Sequence, residues 1–120
     1  MSIALLLAIG CLTSVGIYLI TARLLSRILL GFALLGHAAV LALLGAGGPA
    51  GKPPLANLTT PAESANPVPQ ALALTAIVIG FGLTLFLLAL ARRQQIFTGD
   101  DLVEDDLEDQ RVATDSEAAP

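Results

Sequence analysis

Three long apolar runs set the pattern of this chain, at residues 2–22, about 28–47 and about 70–91. A helix needs about 20 apolar residues to cross the hydrocarbon core of a bilayer, so each run predicts a membrane span. No basic segment precedes the first run and no small-residue cleavage pattern follows it, so it reads as a retained span and not a signal peptide. Arg23-Leu-Leu-Ser-Arg27 forms a short break before the second run. That run ends in Gly45-Ala-Gly-Gly-Pro49, where glycine entropy and proline sterics oppose a helix. Pro67 and Pro69 open the third, since proline presets φ and needs no N–H partner in a first helical turn. Arg92-Arg93 closes it. Between the second and third runs, residues 50–68 gather Lys52, Glu63 and many Pro, Asn, Thr and Ser, which predicts an exposed connection.

Small residues recur inside the runs at helical spacing. Ala38, Ala42 and Ala46 repeat every fourth residue in the second, and Ala76, Gly80 and Thr84 do so in the third. Gly10, Ser14 and Gly16 keep much of the first run small. Helices in lipid associate through close backbone approach, so these stripes predict packing faces, with Ala38, Ala42, Ala76, Gly80 and Thr84 as the candidates.

Composition agrees. Of 120 residues, 55% are hydrophobic and 13% charged, against about 25% charged in a soluble domain. Every acid except Glu63 lies at or after Asp100, so the net charge of −4 describes a tail and not a surface. No nucleic-acid partner is expected; the partners are the bilayer and other membrane proteins. The chain divides into a membrane unit, residues 1–93, and an acidic tail, residues 94–120. Dense like charge predicts disorder in the tail from Asp100 onward, although Leu102, Val103 and Leu107 could line a short helix against a partner. The basic residues set the topology. Arg23 with Arg27, and Arg92 with Arg93, belong on the cytoplasmic side, which puts the N-terminus outside and the C-terminus in the cytoplasm. The expected fold is an all-α membrane protein of three transmembrane helices.

Few residues offer chemistry. His37 is the one ionisable side chain inside its span, and an intramembrane titratable group is a functional candidate by default. It can exchange protons near neutral pH, or it can stay neutral and bond a neighbouring helix. Without a charged partner in any span it cannot form a continuous proton path alone. Thr75 could join it in a polar seam, though such hydroxyls commonly bond their own backbone. Asn57-Leu-Thr59 matches a glycosylation triplet that has meaning only in a secretory setting. Asp100–Glu108 lacks the central glycine and closing glutamate of a calcium loop. There is no cysteine–histidine cluster, phosphate loop or nucleophile with a base. No metal, cofactor or independent enzymatic activity is expected, and the single Cys11 has no partner for an intrachain disulfide.

The motif Pro67-x-Pro-Gln-Ala-Leu-x-Leu-Thr-Ala-Ile-Val-Ile-Gly80, with Leu30-Gly-Phe-Ala-Leu-Leu-Gly-His-Ala38, resembles the C-type subunit (MrpC/MnhC type) of the multisubunit Mrp-type Na⁺/H⁺ antiporters. That family is similar to the small three-helix K (4L) subunit of respiratory complex I. The resemblance spans about Ser2–Arg93 and implies a non-redox subunit that packs beside larger ion-translocating subunits. The resemblance implies that the complex I relatives carry glutamates in their second and third helices, at positions that the register of the motifs puts near Ala33 and Gly80 here, so their carboxylate relay does not carry over. The alternatives are a complex I component and, in another class, a membrane adaptor whose acidic tail recruits a cytoplasmic partner. On composition alone the tail from Asp100 reads as dispensable for transport.

Overall fold

A computed structural model of the chain describes residues 2–53, 55, 57, 60–103 and 107–118. Among them are four α-helices: α1 (Ile3–Ile20), α2 (Leu25–Ala46), α3 (Pro67–Thr98) and α4 (Leu107–Ala118). A 3-10 turn occupies Pro61–Glu63, and two isolated bridges are the only β pairing among the described residues. The first three helices are long and apolar enough to cross a membrane, as the hydrophobic pattern predicts.

The boundaries have local causes. Ser2 caps α1 by accepting from the Leu5 amide (3.2 Å), and Asn66 caps α3 through the Val68 amide (3.1 Å) just before the two prolines. Helix α3 is 32 residues long, or about 48 Å at 1.5 Å per residue, longer than the hydrocarbon core is thick. It therefore does not stop at Arg92-Arg93. Those arginines lie within it, Arg93 stands 5.7 Å from the Phe97 ring, and the helix ends at Gly99 in the left-handed region (φ 73°). Similarly α2 starts at Leu25, which places Arg27 in its first turn and not in the break.

Helix α2 is the middle of a single layer. It packs against α1 on one side and α3 on the other, while α1 and α3 do not touch. The smallest dimension, 18 Å, is less than the depth of two stacked helices with their side chains, each about 10–12 Å across. Almost nothing is buried; Ala38 (4% exposed) and Ala73 (3%) are the buried hydrophobic residues among those described. The tightest seam joins α1 to α2 at two glycines. A Cβ on Gly31 would lie 2.7 Å from the Gly16 carbonyl oxygen and 2.9 Å from the Ile20 nitrogen, and one on Gly16 would meet the Gly31 oxygen at 3.1 Å. These neighbours are backbone and cannot swing away.

Between α2 and α3 the connection is tied at one point. Lys52 donates its amide to the Glu63 carbonyl (2.8 Å) and its ammonium to the Glu63 carboxylate (3.0 Å). Thr60 donates both its amide and its hydroxyl to the same carboxylate (3.1 Å each). Asn57 adopts a positive φ of 68°; Leu58 and Thr59, the rest of the glycosylation triplet, lie outside the described residues.

Residues 99–103 fold back onto the α1–α2 turn through Leu25 N–H to Asp101 O and Val103 N–H to Arg23 O (both 2.9 Å). Helix α4 follows, without packing contact to the other helices. A 12-residue helix is marginal in water without a surface to lie on.

Gly31→Leu should destabilise the fold by about 1–3 kcal/mol through overpacking, whereas Gly10→Leu, where an added Cβ meets nothing within 4 Å, should not; equal melting shifts for the two purified variants would refute the glycine seam. The Thr60 amide first, and then Lys52, holds the Glu63 carboxyl below its ordinary value of 4.5. A lowered carboxylate value means the loop tie is fully present above the unfolded value and lost as pH falls through the folded one. Protection of the Lys52 amide from hydrogen exchange, corrected for intrinsic rate, should drop across that acid range and be low at all pH in Glu63→Gln.

Candidate functional site

The feature most able to carry function is the groove along the α2–α3 seam. Its middle part has a volume of about 240 Å³, with Phe32, His37 and Val40 on one wall and Ala76, Gly80 and Phe81 on the other. Ala33 and Thr84 continue into a second part of about 550 Å³, which ends at Ser26, Arg92 and Gln95. The walls are largely apolar, because the inward stripe of α3 is built from residues three and four apart.

His37 is the titratable group of the middle part. Its Nδ1–H donates to the Ala33 carbonyl of its own helix (2.6 Å), since a carbonyl can only accept. In the neutral ring this leaves Nε2 as an acceptor. Thr84 stands on the facing helix, and among the described residues its hydroxyl has no hydrogen-bond partner. By contrast Thr13, Ser14 and Thr75 donate to carbonyls four residues back (2.7, 2.8 and 2.9 Å). Thr75 is thus occupied by Ala71 on an exposed face of α3, and the structure does not bring it to His37.

The small-residue stripes divide. Ala76, Gly80 and Thr84 line the groove, but a Cβ on Gly80 would meet nothing within 4 Å, so within this chain Gly80 keeps space open and does not tighten a contact. Ala38 is buried two turns along from Gly31, and Ala42 is half-buried. The close α1–α2 approach uses Gly31, which a step of four through α2 misses. A step of seven through Gly31 and Ala38 is the signal that finds it.

At the far end of the groove stand the arginines and one unexpected acid. Arg23 and Arg27 flank the start of α2, Arg92 and Arg93 lie on α3, and none of the four is ion-paired among the described residues. Asp101 accepts from the Ser26 hydroxyl with one carboxylate oxygen and from Gln95 Nε2 with the other (2.8 Å to Gln95). The Ser26 hydroxyl is the chief reason its carboxyl is held below the usual range. Leu24, at the N-cap of α2, supplies no side-chain cap; Asp101 takes that place, and its charge suits a helix N-terminus that otherwise carries only Arg27 in its first turn. No sequence motif marks this residue. No group of three or more metal-ligating side chains exists among the described residues.

Residues 4–108 match the family described as NADH-ubiquinone/plastoquinone oxidoreductase chain 4L. The chain is 46% identical to the Na(+)/H(+) antiporter C subunit of Alkalihalophilus pseudofirmus, over 96% of this chain and 99% of that protein. It is 43% identical to the Na(+)/H(+) antiporter C1 subunit of Staphylococcus aureus, over 87% and 92% of the two chains. The chain belongs to the family of Na⁺/H⁺ antiporter C subunits. Among solved structures it is similar to a chain of the Mrp complex from Dietzia sp., with TM-score 0.77, 39% identity, and 91% and 84% of the two chains covered. A chain of the membrane-bound sulfane sulfur reductase, an archaeal respiratory membrane complex, also superposes at TM-score 0.77, with 29% identity over 88% and 98% of the chains. Both are chains of complexes. The family match runs past Arg93 and through the residues that fold back at Asp101, so this antiporter-family chain keeps its likeness beyond the third span.

Filling the groove should matter more than removing its imidazole. Gly80→Leu is expected to lower the share of the chain found in the assembled complex, and His37→Ala to leave most of it there; a native gel showing the reverse order would refute this use of the groove.

Proposed function

We propose that this chain is a membrane subunit of a multisubunit antiporter that exchanges a cation (Na⁺) for H⁺, inactive alone and not itself an enzyme. The observation that carries the reading is the open single layer. Three apolar helices with 6–11% of their span windows buried leave both faces available to lipid and neighbouring subunits. The relatives named as antiporter subunits, and the likeness to a chain of the Mrp complex, supply the transport class. Its first task is to pack between larger ion-translocating subunits.

A secondary role lies in the groove. His37 Nε2 and the Thr84 hydroxyl are the polar groups that a hydrated path past this subunit would use, with neighbouring chains providing the carboxylates. Thr75 contributes to such a seam only if its hydroxyl leaves Ala71. The orientation follows the arginines, which place the N-terminus and the 50–66 connection outside, and Arg23, Arg27, Arg92, Arg93 and the acidic tail in the cytoplasm. The membrane unit then comprises residues 1–93 with the last turn of α3 emerging from it, and residues 94–120 form the cytoplasmic part.

A respiratory reading is the alternative, because the chain 4L family includes oxidoreductase components. Ala33 and Gly80, near which the register of the motifs puts the glutamates of those relatives, both line the groove here and neither can titrate, which favours the antiporter. Vesicles carrying the full antiporter complex should show sodium-driven proton movement that is lost when this subunit is omitted. Vesicles carrying the purified chain alone should show none; robust exchange by the chain alone would overturn the proposal.

A further inference from the structure

Both parts of the groove run between α2 and α3, and at the arginine end the two helices meet through a residue that belongs to neither. Ser26 lies in the first turn of α2 and Gln95 in the last turns of α3, and both line the end of the groove. Asp101 reaches each with a separate carboxylate oxygen. The same residue takes the Leu25 amide on its carbonyl, and Val103 donates to Arg23, so the bridging carboxylate sits on backbone that is already tied down. Asp100 fixes the approach by accepting from the Asp101 amide (2.7 Å) with its own carboxylate. Helix α1 does not touch α3, so at this end the outer helix is held to the α1–α2 pair by the α2–α3 seam, by the Asp101 carboxylate and by the chain that runs from Gly99 into the backbone bonds of residues 101–103.

We propose that Asp101 is a positioning residue: its carboxylate clasps α2 to α3 across the end of the groove and so sets the groove's width along its length. A carboxylate suits the task because it offers two acceptor oxygens in one plane to two donors on different helices. Backbone bonds alone tie α3 to the α1–α2 turn only through its last residue, by way of Gly99 and Asp100, whereas the Asp101–Gln95 bond holds the helix itself, one turn inside its end. The acidic tail thereby contains two functions of different kind. Residues 99–103 are part of the membrane unit's architecture, and what lies beyond is attached to it.

The experiment uses the assembled antiporter complex with Cys11→Ser in this subunit and spin labels at Leu30 on α2 and Leu88 on α3, both groove-lining residues. Pulsed dipolar spectroscopy should give one narrow distance for the parent and for a chain truncated after Val103. Asp101→Ala should lose that narrow distance in favour of a longer, broader one, with the backbone bonds still available. Ser26→Ala combined with Gln95→Leu should give the same broadening, and adding Asp101→Ala to that pair should change nothing further, because the three side chains act as one unit. The Ser26/Gln95 pair also decides the matter if Asp101→Ala fails to assemble. An unchanged distance in Asp101→Ala or in the Ser26/Gln95 pair would overturn the proposal, as would broadening on truncation after Val103.

Discussion

In lipid, apolarity does not drive one helix onto another, because the tails are as apolar as leucine. What holds this chain's layer together must be contact at close range or hydrogen bonding. The first is the Gly16–Gly31 approach, where the α1 and α2 backbones come near enough that neither position has room for a Cβ. The second is polar tying at the two ends of the α2–α3 pair, by Lys52 with Glu63 in the connection and by Asp101 at the arginine end. Between those ties the α2–α3 seam stays open, and the groove is the result.

That arrangement suits one part of an assembly better than a transporter in its own right. A path for ions needs walls on all sides, and a layer one helix thick supplies only one. The polar groups available to such a path are sparse: an imidazole that spends Nδ1 on its own helix, and a threonine hydroxyl opposite. Four arginines gather at one end and every acid but Glu63 follows them in the sequence, which leaves the middle of the layer nearly neutral.

The spans, their number and their order were legible because apolar length and breaker residues are local signals. Pro67 and Pro69 marked the start of α3 for the same reason. Its end was not legible: a pair of arginines is no helix breaker, and α3 runs on until Gly99 stops it. The stripe Ala76, Gly80, Thr84 lies along the groove face of α3, but spacing cannot say whether a small residue tightens a contact or keeps a space, and Gly80 does the latter within this chain. Thr75 looked equivalent to Thr84 in sequence; only the rotation of α3 separates the exposed hydroxyl from the one in the groove. Asp101 was hidden among like residues. Its role depends on a return of the chain across 75 positions to Ser26, which no local pattern encodes.

The central claim is that this chain works as one part of a larger membrane assembly. Gentle extraction of the tagged chain from its native membrane, followed by native mass spectrometry, tests it most directly. The account predicts that the chain leaves the membrane bound to larger many-span membrane subunits. Recovery of the chain alone, or with soluble proteins only, would contradict it.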